Sequence, residues 1–147
     1  MYFLGVMFFI LILFASTSYY SSATLFIDVS NFIFILAFSI SMLLASGLFS
    51  DFVRGFKIMM QKENKYSLLE LRKTEKAIKL MLELIILSGL LGAIIGMVLI
   101  LAWIGVDNIK LARGAAVALL SLFYSIFFSI ILLPIKAKVK AIILTIE

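Results

Sequence analysis

The chain has 147 residues, 65% of them hydrophobic, with 13 Lys and Arg against 8 Asp and Glu. Soluble domains are roughly 45–50% apolar, so a chain of this length cannot hide that much apolar surface in a globular core, and its natural solvent is lipid. The absence of Cys excludes a disulfide framework and a thiolate metal site, and the absence of His removes the commonest general base and metal ligand.

A membrane-spanning helix needs about 20 mostly apolar residues. Four stretches meet that length: 2–20, 32–49, 84–104 and 114–135. The first has a short apolar centre that continues to Tyr19 and Tyr20. It lacks a basic leader and offers no small-residue cleavage site, so it reads as a span and not a signal peptide, its tyrosines forming an interfacial belt. The third and fourth carry no charge, and Pro134 lies near the end of the fourth. Short outer loops are expected at about 16–31 and 105–113.

Charge sets the orientation. Arg54, Lys57, Lys62, Lys65, Arg72, Lys73, Lys76 and Lys79 separate the second and third spans, and Lys136, Lys138 and Lys140 follow the fourth, against only Lys110 and Arg113 elsewhere. Basic loops stay on the cytoplasmic side, which places both termini inside. The net charge of +5 then faces anionic membrane lipid, not nucleic acid.

The cytoplasmic segment 50–83 has helical character. Ser67-Leu68-Leu69-Glu70 is an S-x-x-E capping box. From Leu69 to Leu87 the chain runs without Pro or Gly and leads straight into the third span, which predicts one helix over 67–104, about 55 Å long at 1.5 Å per residue. Glu70, Lys73, Lys76 and Lys79 are expected on its solvated surface, with Leu69, Leu80 and Leu84 at apolar positions. A shorter helix is expected from a cap at Ser50-Asp51 to about Gln61, with a turn over 61–66. Asp107 or Asn108 is placed to cap the fourth span.

No catalytic constellation, phosphate loop or dinucleotide fingerprint is present, so neither an enzyme nor a cofactor is indicated. No span carries an ionisable residue at its centre, the usual mark of a transporter. Glu83, at the cytoplasmic edge of the third span, is a partner for Lys79 or a candidate ion exit. Gly89, Gly92 and Gly96 form a stripe in GLLGAIIGMVLIL, and the fourth span answers with Gly114 and with serines at 121, 125 and 129. In lipid such residues mark close helix packing. The alternatives are serines bonded back to their own helix, or a tightly packed sleeve around another helix.

These residues resemble the MotA/TolQ/ExbB channel family: GLLGAIIGMVLIL in the third span, Asp107, GAAVALLSLFYS in the fourth, LPIKAKV after it, and FIDVSNFIFIL, similar to the FID-x-x-S stretch of MotA-type members. The resemblance implies an all-α membrane protein whose protomers form a homopentamer in the bacterial inner membrane. The third helix would extend into the cytoplasm, and the last two spans would line a central pore. It also implies a single-span MotB/ExbD/TolR-like partner whose intramembrane Asp carries the ion. Ala93 stands where sodium-type members have Thr, which favours protons. Of the family's two pore threonines, the first is Ser121 and the second Leu122, which leaves the pore unusually apolar; Ser125 replaces a glycine. The cytoplasmic segment is shorter than in flagellar stators, and Arg72, Lys73, Glu75 and Lys76 do not reproduce their torque motif. The resulting expectation is a proton-driven motor's channel subunit. The alternatives are a non-conducting scaffold of the same fold and a small four-helix transporter or holin-like pore.

Overall fold

The computed structural model describes residues 2–20, 26–61 and 66–146, side chain of Tyr20 excepted. Lys62, Lys65, most of the expected 61–66 turn and part of the first outer loop fall outside the described residues. Five helices follow in order: α1 (Tyr2–Tyr20), α2 (Val29–Ala45), α3 (Phe49–Met60), α4 (Leu68–Trp103) and α5 (Asn108–Ile146), with no strand among the described residues. Three of them, α1, α4 and α5, are long and apolar enough to cross a membrane, and α2 qualifies only together with α3, as a pair bent by 112°.

The helix ends follow their side chains. The Asp28 carboxylate accepts the backbone N–H groups of Ser30 and Asn31 and starts α2 at Val29, ahead of the expected 32. Gly47, at φ +72°, turns the chain out of α2 where a side-chain-bearing residue would be strained. Helix α2 therefore ends at Ala45, short of the 49 expected for the second span. Asp51 is not the cap of α3. That helix starts at Phe49, Leu48 supplies no side-chain cap, and Asp51 sits in the first turn, buried and paired with Arg54.

The capping box at α4 forms as expected. Ser67 N–H donates to Glu70 Oε2 at 2.9 Å, and Glu70 N–H donates back to Ser67 Oγ. The Ser67 backbone N–H first, and then the Ser67 hydroxyl, which also donates to Glu70 Oε2 at 2.9 Å, hold the Glu70 carboxyl below the usual carboxylate range. Asp107 caps α5, accepting the Ile109 and Lys110 N–H groups at 2.9 and 3.1 Å.

Helix α5 continues past Pro134 to Ile146, beyond the expected end of the span at 135. Proline removes one donor from the ladder, but packing holds the helix on both sides of it. Leu132, Ile135, Val139 and Ile143 join a buried cluster with Leu71, Ile78, Met81, Leu82 and Ile85 of α4. The α4 positions expected to be apolar contacts are not the buried ones: Leu69 is exposed, Leu80 and Leu84 are only partly buried, and Leu71, Thr74 and Ile78 form the inner face.

Helices α4 and α5 make the largest interface of the molecule, and α2 and α3 pack onto that hairpin. Gly55 lets α3 approach closely, since a Cβ there would lie 2.9 Å from Ile78 and 3.3 Å from Ile135. Lys138 of α5 donates to the Met59 and Gln61 carbonyls at 3.2 Å, satisfying the end of α3. Helix α1 lies on the outside of α5. Tyr2 donates its hydroxyl to the Ile131 carbonyl, Phe9 stacks on Phe127, and most α1 side chains remain exposed.

Candidate pore-lining groove and its supporting seam

The three glycines of α4 face α5 along one seam. A Cβ on Gly96 would stand 2.5 Å from the Ala118 nitrogen and 2.7 Å from the Gly114 carbonyl oxygen; on Gly92 it would stand 2.5 Å from Ser121 Oγ; on Gly89 it would overlap the Ser125 side chain. From the other side, a Cβ on Gly114 would meet the Ile100 nitrogen at 3.0 Å. The stripe therefore packs within the chain itself, bringing two backbones together where dispersion and not water exclusion drives association.

The three serines donate to their own helix: Ser121 to Val117 O at 2.7 Å, Ser125 to Leu122 O at 2.8 Å and Ser129 to Ser125 O at 2.8 Å. That is the back-bonded arrangement a hydroxyl adopts in apolar surroundings.

The expected pathway residues separate onto two faces. Ser121 is fully buried and Ala93 is 6% exposed, both inside the protomer. Successive residues of a helix are about 100° apart, so Leu122 emerges elsewhere. Together with Ser125, Ile126 and Ser129 of α5 and Ile86 and Leu90 of α4, it lines an open groove of about 390 Å³. The lining is apolar apart from the two back-bonded serines.

Several residues absent from the sequence-derived set prove central. Asn31 is buried; its Oδ1 accepts from Ser121 Oγ at 2.9 Å, and its Nδ2 donates to Asp28 Oδ2 at 2.9 Å. The Tyr124 hydroxyl donates to the Phe26 carbonyl at 2.6 Å and accepts the Asp28 N–H at 2.8 Å. The start of α2 thus binds α5 beside the middle of its uncharged run. The Asp28 carboxylate, from the residue before α2, caps that helix and holds the Asn31 side chain. Lower in the bundle, the hydroxyls of Ser39 and Ser88, both fully buried, meet at 3.4 Å between α2 and α4. The signal for these was available: Asn31, Ile35, Ser39 and Leu43 recur every four residues and are the buried face of α2.

At the other end, Glu83 is exposed and lies 3.8 Å from Lys79, the solvated pair one turn apart. Arg72 and Glu75 share a cleft of about 280 Å³ with Lys140 and Leu144 of α5, whereas Lys73 and Lys76 face outward. The four candidate interaction residues therefore do not form one cluster.

Comparison with curated proteins returned no match, and neither did comparison with solved structures. A family model does match, over residues 40–147, covering α3, α4, α5 and the last third of α2 but not the FIDVSN stretch. On that match, over the hairpin whose seam and groove are described above, the chain belongs to the MotA/TolQ/ExbB proton channel family.

Proposed function

We propose that the chain is the channel-forming subunit of a proton-driven motor complex, a homopentamer in the bacterial inner membrane with both termini cytoplasmic. The α4–α5 grooves of the copies would face a central pathway, and a single-span partner with an intramembrane Asp would occupy it. The observation that carries this reading is the groove itself. It is apolar, its serine hydroxyls are turned into their own helix, and it holds no carboxylate, so an ion crossing along it needs a titratable group from another chain. The basic residues at one end of the bundle support the orientation, because Lys136, Lys138 and Lys140 of α5 lie beside the charged first half of α4.

Leu122 supports a second reading, a non-conducting scaffold of the same fold, because it puts an isobutyl group where the family places a threonine. Purification of the tagged chain from its native membranes, in mild detergent, separates the proposal from a chain that works alone. The expected result is stoichiometric recovery of a small single-span protein with an Asp in its span. Repeated recovery of the homo-oligomer alone would contradict the motor reading.

A further inference from the structure

We propose that Asn31 and Tyr124 are positioning residues that fix the rotation of α5 about its axis, and so decide that Leu122, not Ser121, faces the groove. The proposal deepens the reading above and rests on it for its meaning, since the groove matters most if ions pass there.

The Ser121 hydroxyl has one proton and two acceptors within reach, Asn31 Oδ1 at 2.9 Å and its own helix's Val117 O at 2.7 Å. The second acceptor is available to a serine whichever way α5 is rotated. Only the first depends on Ser121 pointing inward. Gly92 permits the inward position, because any side chain at 92 would collide with Ser121 Oγ, but a permitted position is not a selected one. The outward alternative also costs little in apolar terms, since a leucine is as well solvated by lipid as by protein. What distinguishes the two is the polar end of α2.

That end is built to be rigid. Asp28 accepts the Ser30 and Asn31 backbone N–H groups and also the Asn31 Nδ2 donor, so the Asn31 amide is held from behind and its Oδ1 is aimed at α5. If Ser121 turned away, Asn31 Oδ1 would be a buried acceptor without its partner, a loss of the kind that is costly in a low-dielectric interior. Tyr124, one turn further along α5, repeats the constraint. Its hydroxyl donates to the Phe26 carbonyl and accepts from the Asp28 N–H. Two residues of α5, three apart and on one face, are therefore bound by the residues around the start of α2. Leu122 lies between them in sequence and about 100° round the helix from Ser121, and it lines the groove as a consequence.

The chain has no cysteine, so single cysteines carrying a nitroxide can be walked through 117–130, omitting 121 and 124, in the full-length protein in liposomes. Oxygen accessibility is then read at each position. In the otherwise unaltered protein the maxima are expected at 119, 126 and 130, with 122 following the groove. In Asn31→Leu the maxima shift by about one residue, or the contrast between faces collapses, as expected for a turn of about 100°. Tyr124→Phe, which removes one oxygen and keeps the ring, shifts the pattern in the same sense and serves if Asn31→Leu fails to assemble. An unchanged pattern in both variants, or in Tyr124→Phe alone where the other does not fold, overturns the proposal. The readout involves no ion flow, so it stands or falls separately from the channel reading.

Discussion

Gly96→Val is expected to force α4 and α5 apart along their seam and to destabilise the protein by about 3 kcal/mol or more. The added Cβ would stand 2.5 Å from the Ala118 backbone nitrogen and 2.7 Å from the Gly114 carbonyl oxygen. No rotamer change relieves a collision with backbone, so the two helices must separate, and the contacts at Gly92 and Gly89 loosen with them. Overpacking a core costs about 1–3 kcal/mol when side chains can adjust. The cost here belongs at or above the upper end, on a total stability of order 5–15 kcal/mol. A loss of ~3 kcal/mol lowers Tm by on the order of 10 °C in a chain of this size. Gly5→Ala is the matched control, because nothing lies within 4 Å of a Cβ there. Its effect should be neutral or slightly favourable, as alanine is the better helix former. Thermal unfolding in detergent, followed by helical circular dichroism, compares the two. Equal Tm values would show that the seam is looser than its geometry.

Asp51→Leu has the next largest expected effect. Arg54 and Asp51 are mostly withdrawn from solvent, with side chains 21% and 12% exposed. The guanidinium donates to Asp51, reaches the Glu70 carbonyl at 3.4 Å and Thr74 Oγ1 at 3.5 Å, and lies over the Tyr66 ring. This cluster joins α3 to the first turns of α4. Removing one member of a buried pair costs about 3–5 kcal/mol because the remaining charge is left uncompensated. The remaining exposure and the two longer contacts of Arg54 reduce that to about 2–3 kcal/mol. Asp51→Leu with Arg54→Met should recover most of the loss, since no orphan charge remains. Thermal unfolding of the single and double variants checks this. A double variant no more stable than the single one would mean that packing, not charge, holds α3.

What could be read from the chain and what could not divides along a physical line. Caps and turns are local, so Ser67–Glu70 and Asp107 were legible and placed the ends of α4 and α5 closely. The glycine stripe was legible as a site of close approach because glycine has few other uses inside an apolar helix. The choice of buried face was not. In a lipid-embedded bundle the outer surface is as apolar as the core, so hydropathy could not prefer Leu71 and Ile78 over Leu69 and Leu84. For the same reason Ser121 and Leu122 looked like equal members of one pathway. Ser121 meets Asn31, ninety residues away in sequence, while Leu122 lines the groove, and a contact that distant leaves no local pattern to read. Helix α5 runs on past the expected span because burial of Ile135, Val139 and Ile143 against α4 outweighs the one hydrogen bond that Pro134 removes, and that packing is not visible in local sequence.

The channel reading is tested most directly by proton flux into liposomes containing the chain and its co-purified single-span partner, with a pH-sensitive dye inside and a potential applied. The proposed function predicts flux that requires both proteins, disappears when the partner's intramembrane Asp is changed to Asn, and rises with Leu122→Thr in this chain. Intact complexes that pass no protons, with Leu122 or with threonine in its place, would contradict it and leave the protein a scaffold.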